Sequence, residues 1–324
     1  MDPPTPDSTS REEEEEERNW QELPRDVTSM ILSKLNAVEI LSSAQFVCSF
    51  WRKLCREPMM WRNIDMHNLG DLCDLGYDLE EMARHAVDRS GGQLLSICID
   101  DFATDNLLNY IIDRSSHIRH LRLVSCYGIS DDGLSEGIKR LPLLVEIDLC
   151  YCSFSKEVLE AIGQCCPRLK SFRLNCQGFR HPHIECDEEA LAIAQNMPGL
   201  KSLQLFGNKL TNDGLLAILD GCRHLESLDL RQCFNVNLGG NLAKRCAEQI
   251  KILRYPNDST DDYEFDAEIH DDASSDEEYP SGISDLDLLS DGDYYDFSDG
   301  SDFSEYDPLI MIHMSRIIFM INAL

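Results

Sequence analysis

The sequence predicts an α/β chain in which three short helices precede a curved solenoid of strand-turn-helix units around a parallel sheet, with an acidic tail behind. Three observations predict it. Apolar residues recur at helical spacing between Trp20 and Asp65, a different apolar pattern repeats from Leu94 to Tyr255, and residues 257–307 hold 20 acids with no Lys or Arg.

Charge and cysteine usage narrow the function classes. The 324 residues carry 59 Asp and Glu against 29 Lys and Arg, a net charge of −30 that is concentrated in the tail and in the block Glu12–Glu17. Without residues 257–307 the charge is only −10. A duplex-binding protein needs a basic footprint, so no nucleic-acid partner is expected. The 14 cysteines are spread from Cys48 to Cys246 instead of being packed into a small domain, which favours reduced thiols over a disulfide framework. The N-terminus lacks the basic and apolar regions of a signal peptide, which points to the nucleus or cytoplasm. Leu309–Leu324 is apolar but has 16 residues with Arg316 among them, short of the roughly 20 that span a bilayer, so no membrane partner is expected and the role of 308–324 stays open.

Residues 1–19 combine Pro, Ser, Thr and a Glu run, and are expected to be disordered. In residues 20–66, Val27, Ile31 and Leu35 share one helical face. Val38 and Leu41 make a second set, and Val47, Cys48, Trp51 and Leu54 a third. Pro24 suits a first helical turn and leaves Leu23 just outside it. Three such helices are too small to close a core, so a partner or the next domain must complete one face. Residues 67–93 read as a linker helix with Leu79, Met82, Ala83, Ala86 and Val87 on one side and Gly91-Gly92 as its stop.

From residue 94 to 256 seven lines start at Leu94, Ile118, Leu144, Leu169, Leu200, Leu225 and Ile250, with apolar residues at offsets 0, 3 and 5. Offset 8 carries Cys126, Cys152, Asn208 and Cys233. This is the LxxLxLxxN/C pattern of leucine-rich repeats: offsets 3 and 5 alternate inward on a short strand, and the Asn or Cys turns inward to bond open backbone groups. Each unit exposes an apolar face that only a stacked neighbour covers. The insertion GFRHPHIECDEE lengthens one step to 31 residues and places a loop there. Offsets 2, 4 and 6 face the concave side. Substrate-binding candidates are therefore His120, Arg122, Glu146, Asp148, Arg173, Gln204, Phe206, Asp229 and Arg231, with Ser171, Ser202 and Ser227 between them. Phe206, read as an exposed aromatic, is the expected anchor.

Residues 23–66, LPRDVTSMILSKLNAVEILSSAQFVCSFWRKLCREPMMWRNIDM, resemble the F-box. The matching positions are Leu23, Pro24, Ile31, Leu32, Leu35, Ile40, Leu41, Val47, Cys48, Trp51 and Trp61, with Arg52 and Pro58. Asn36 stands where many F-boxes have Pro. With the cysteine-containing repeats behind it, the chain resembles the plant F-box/LRR-repeat proteins. That resemblance implies the substrate receptor of an SCF ubiquitin ligase: the F-box docks a Skp-type adaptor, and through it a cullin, while the repeats hold a protein substrate. It implies no catalytic residue in this chain. A second reading, from the acidic leucine-rich nuclear phosphoproteins, is a histone-binding chaperone, which leaves the F-box without a role. A third is a scaffold that does not deliver substrate.

No nucleophile motif or phosphate loop occurs at convincing spacing, and neither a metal nor another cofactor is expected. His181-Pro182-His183 with Cys186 reads as a loop turn. The tail of residues 257–307 is expected to be a disordered spacer. Its Ser-acid runs also suit acidophilic kinases or basic partners, and it could fold back on His120, Arg122, Arg173 and Arg231 to compete with an acidic substrate.

Overall fold

The computed structural model describes residues 23–67, 78–180, 184–265 and 267–270. The expected regions 1–19 and 308–324 and the motif His181–His183 lie outside them, as do most of the tail and ten residues of the linker.

The front unit is α1 (Arg25–Leu32), α2 (Ala37–Ser42) and α3 (Ser49–Cys55), with 3-10 turns at Ala44–Phe46 and Pro58–Trp61. Pro24 is the N-cap of α1, one residue before the first helical turn. Asn36 explains why proline is dispensable before α2. Its side chain accepts the Glu39 N–H at 2.8 Å, while Glu39 accepts the Asn36 N–H at 3.0 Å, a reciprocal cap that starts the helix.

The chain then enters one eight-stranded parallel sheet in the order β1 (Asn63–Met66), β2 (Ser96–Asp100), β3 (His120–Val124), β4 (Glu146–Cys150), β5 (Ser171–Asn175), β7 (Ser202–Gln204), β8 (Ser227–Asp229) and β9 (Ile252–Arg254). Outside it run α4 (Leu79–Arg89), α5 (Asp105–Arg114), α6 (Asp131–Ile138), α7 (Lys156–Cys165), α8 (Glu188–Asn196), α9 (Asn212–Gly221) and α10 (Gly240–Gln249). The strands pair without slip, Ile97 with Leu121, Leu121 with Ile147, and Ile147 with Phe172. All four of these side chains are buried, so a one-residue slip would turn the whole apolar set to solvent. A short pair, β6 (Gly178–Phe179) with β10 (Ile269–His270), lies apart from the main sheet.

The boundary between the front unit and the repeats differs from the sequence expectation. Trp61, Ile64 and Met66 occupy offsets 0, 3 and 5 of an additional line and are all buried. The solenoid therefore begins inside the F-box segment, and α4 is its first outer helix instead of a linker, packing on α2, β1 and α5. One continuous apolar core runs from Leu32 to Ile250. At the other end, the line Ile250/Leu253/Tyr255 is the last of the sheet, with no following repeat among the described residues. Ile250 is buried, but Ile252 and Tyr255 are 62% and 47% exposed.

Side-chain ladders tie repeat to repeat. Cys126 Sγ lies 3.2 Å from the Val124 carbonyl and 3.4 Å from that of Ile99, and Cys233 Sγ lies 2.8 Å from that of Leu205. These thiols add a second donor to carbonyls that already accept a backbone N–H, Val124 from Asp101 and Leu205 from Asn208, and so tie one repeat to the next. Burial pushes Cys126 up to about 12 and Cys152 up to about 11, so both stay protonated donors at neutral pH. On the helix side, the carboxylate of Asp105 accepts Ser130 N–H at 2.9 Å and Ser130 Oγ–H at 2.7 Å, and Asp187 accepts Thr211 N–H and Oγ1–H at 2.7 Å each. One helix start thus fixes the next. Replacing Asp105 by alanine is expected to cost about 1–2 kcal/mol, read as a lower urea midpoint at unchanged m. An unchanged midpoint would remove this ladder from the account of stacking.

Candidate protein-binding surfaces

The F-box positions divide into core and surface. Leu32, Leu35, Ile40, Leu41, Trp51 and Trp61 are buried, whereas Pro24 and Val47 are exposed and Leu23, Ile31 and Cys48 are half-buried. Trp61 donates from Nε1 to the Cys55 carbonyl at 2.7 Å. Cys48 is the N-cap of α3, its Sγ accepting the Trp51 N–H at 3.4 Å. The buried positions hold the helices to each other and to the first repeat and are not surface residues in this structure. Exposed apolar side chains on this unit are Met30 at 67%, Met59 at 61%, Val27 at 41% and Val47 at 37%. The sequence analysis groups Val27 with Ile31 and Leu35 on one helical face and leaves Met30 and Met59 unassigned. Arg25 joins both carboxylate oxygens of Glu57 at 2.7 Å, which ties the start of α1 to the turn that carries Met59.

The concave side of the sheet is a groove lined by charges and rings. Its offset-4 row reads Cys98, Arg122, Asp148, Arg173, Gln204, Asp229 and Arg254, one residue per neighbouring strand. Residues at offset 7 make the turn that leaves each strand, and several adopt left-handed backbone: Asp101, Ser125, Tyr151 and Gln232 at φ of 73°, 50°, 55° and 60°, with Gly207 at 69°. A β-carbon on Gly207 would lie 2.3 Å from the Cys176 carbonyl, so glycine is required there. The same turn carries Tyr151 and Gln232 to the rim of the groove, a placement that strand periodicity does not reveal.

Part of the tail expected to be disordered occupies this groove. Glu264 joins Arg122 at 2.7 Å and Arg173 at 3.2 Å, and Asp262 joins Arg231 and Arg254 at 2.6 Å each. Tyr263 stacks on Phe206 with centroids 3.8 Å apart and planes 2° from parallel, and its hydroxyl lies 3.1 Å from that of Tyr151. Phe265 meets Tyr151 edge-on at 5.3 Å and lies beneath the Arg122 guanidinium. Gln232 donates to the Ala267 carbonyl at 2.8 Å, and β10 then pairs with β6.

This arrangement sorts the substrate-face candidates. Phe206 is 1% exposed instead of being a free aromatic anchor, because Tyr263 covers it. Arg231 is buried, held by Asp229 at 2.7 Å as well as by Asp262. Arg173 bridges Asp148, at 3.6 Å, and Glu264. Gln204, Ser171, Ser202 and Ser227 are half-buried between them. His120 and Glu146 are exposed, 3.9 Å apart on adjacent strands, and form the open end of the face. Tyr151, Gln232 and Arg254 join the site although the sequence did not mark them. A signal was present in Asp262-Tyr263-Glu264-Phe265: two rings within an acid run are not what a solvated spacer requires.

Electrostatics fit an occupied groove. Desolvation opposes the charge on Asp262, but Arg231 and Arg254 outweigh it and hold its carboxyl below the usual range. Its contribution is therefore present above the ordinary aspartate pKa and lost only as pH falls through the lowered value. Burial raises Asp148 against the pull of Arg173 and Arg122. Burial and the Tyr151 hydroxyl push Tyr263 up, so it remains a neutral phenol.

The fold and these surfaces define a leucine-rich-repeat solenoid fused to an F-box helical unit. Residues 20–67 match the F-box-like family, and residues 197–219 match a leucine rich repeat family. The chain is 54% identical over 296 residues to F-box protein SKIP19 of Arabidopsis thaliana, spanning 90% of this chain and 94% of that protein. It is 53% identical over 249 residues to putative F-box/LRR-repeat protein 23 of the same plant, spanning 75% of this chain and 55% of that one. With putative F-box/LRR-repeat protein 9, also of Arabidopsis thaliana, it shares 47% identity over 234 residues, 71% of this chain and 94% of that one. The chain belongs to the plant F-box/LRR-repeat proteins.

Proposed function

We propose that this protein is the substrate-recognition subunit of an SCF-type ubiquitin ligase, contributing binding surfaces and no chemistry of its own. The observation that carries the reading is the apolar surface left on the front unit. Although α2 packs on the first repeat, Val27, Met30, Val47 and Met59 stay uncovered by the rest of the described chain. A small helical unit that keeps such side chains in water is suited to a partner groove. In this reading the partner is a Skp-type adaptor, which brings the cullin, and the concave sheet holds a protein substrate for ubiquitination. The working compartment is the nucleus or cytoplasm, where the thiol ladder stays reduced.

The test uses the purified full chain mixed with a Skp-type adaptor and cullin and followed by size-exclusion chromatography. Co-elution of the three is expected. A folded chain that elutes alone in the presence of excess adaptor would overturn the proposal and would return weight to a chaperone-like role.

A further inference from the structure

We propose that the concave groove is a recognition site for extended protein segments of alternating acidic and aromatic residues, and that Asp262–Phe265 is the chain's own occupant of it. The inference rests on reading the concave sheet as the substrate face and adds to it the chemistry of the substrate.

The site is built by the scaffold and filled from outside it. Arg122, Arg173, Arg231 and the rings of Phe206 and Tyr151 come from strands or from the turns that end them, whereas their partners belong to a segment beyond the last strand, β9. Adjacent strands lie about 4.8 Å apart, so arginines on successive or alternate strands sit at distances that an extended peptide can match with its carboxylates. Between the carboxylates the groove offers an aromatic face, and Tyr263 fills it by parallel stacking. Each kind of occupant residue therefore has its own receptor: Asp262 on Arg231 and Arg254, Glu264 on Arg122 and Arg173, Tyr263 on Phe206, and Phe265 against Tyr151.

The present occupant does not exhaust the groove. Nε of Arg122, on β3, and Oδ1 of Asn175, at the end of β5, are buried with no hydrogen-bond partner among the described residues. The carboxylate side chains of Asp262 and Glu264 remain 53% and 40% exposed. The occupant is also tethered by only a few residues to β9, and a short tether supplies an effective concentration on the order of 1 mM. A segment with an intrinsic Kd of about 10 μM would then fill the groove roughly 99% of the time and weaken an external competitor about a hundredfold. Such a device lets a substrate of the same chemistry enter only when it binds tightly or is delivered at high local concentration.

The probe is a fluorescein-labelled peptide of residues 257–270, titrated by fluorescence polarisation into the full chain. The wild-type chain is expected to bind it weakly. A full chain carrying Asp262→Ala, Tyr263→Ala and Glu264→Ala together is expected to bind it at least tenfold more tightly at low salt. The gain should disappear on adding Arg173→Glu to that chain, and a probe with alanine at both aromatic positions should bind at least tenfold more weakly. The single Glu264→Lys variant, which alters an exposed side chain, replaces the triple variant if near-UV circular dichroism shows that the latter has lost its packing. Equal probe binding by wild type and a folded released variant, or no binding by the released variant, would overturn the inference. So would an aromatic-free probe that binds as well as the full one, since the site would then select charge alone. Adaptor capture is measured on the same preparations. Failure there with intact probe binding counts against the ligase reading and not against the groove, and the reverse pattern counts against the groove alone.

Discussion

A chain with both Met30→Asp and Val47→Asp is expected to lose about a hundredfold in adaptor affinity while its unfolding midpoint stays close to wild type. Met30 and Val47 are 67% and 37% exposed, so little of the folding free energy depends on them. On docking they would be dried, and burying an apolar side chain of this size contributes roughly 1.5 kcal/mol or more. Scaled to the surface each has left to bury, the two losses come to about 2 kcal/mol, and drying an aspartate in an apolar contact supplies the rest of the two decades in Kd. Leu32 serves as the contrast. It lies on the same helix as Met30 but is fully buried, and Leu32→Ala is expected to destabilise the fold by about 2–5 kcal/mol. Calorimetric titration with purified adaptor, paired with thermal unfolding of each variant, separates the two outcomes. Undiminished affinity in the folded double variant would move the docking face elsewhere on the front unit.

This division between Met30 and Leu32 also marks where sequence reading stops. Helical spacing locates the helices of the front unit but not their buried sides, since Val27 and Val47 stay exposed, whereas the offsets 0, 3 and 5 place the buried face of each complete repeat. Periodicity says that a residue is apolar on one side; it does not say what lies against that side. Leu35, Ile40, Leu41 and Trp61 are buried in a core that α4 and β1 share, and the helical pattern around Trp61 hid the repeat spacing Trp61/Ile64/Met66 that reveals it. At the opposite end Tyr255 fits the offset but stays in water, since offset 5 is inward only where another repeat follows. The concave residues were legible as a face, and the charge of the tail raised a fold-back onto Arg122, Arg173 and Arg231, but the sequence analysis did not pick out which tail residues fill the groove. Arg122 and Glu264 are 142 positions apart, and no local pattern links them. Only the interleaving of Tyr263 and Phe265 with the acids of the tail distinguished that stretch from a spacer.

Trp61→Ala is expected to destabilise the whole described unit by about 3–5 kcal/mol, the usual range for deleting a fully buried large aromatic side chain. Trp61 is 1% exposed, its Nε1 donates to the Cys55 carbonyl at 2.7 Å, and the Arg89 guanidinium lies 5.5 Å from its ring. One side chain thus joins α3, the entry to β1, and the end of α4. Removing it leaves a cavity at the junction and orphans a carbonyl there, and neither loss can be confined to one side. For a folded region of some 200 residues the expected fall in midpoint is about 6–20 °C. Trp61→Phe should recover the larger part, because it restores most of the ring volume and lacks only the N–H donor. Loss of front-unit helicity and loss of near-UV signal from the repeats are expected to coincide in a single transition, since Ile64 and Met66 put the F-box segment inside the repeat core. Two separated transitions, with only the first displaced by Trp61→Ala, would show instead that the front unit is an autonomous module resting on the solenoid.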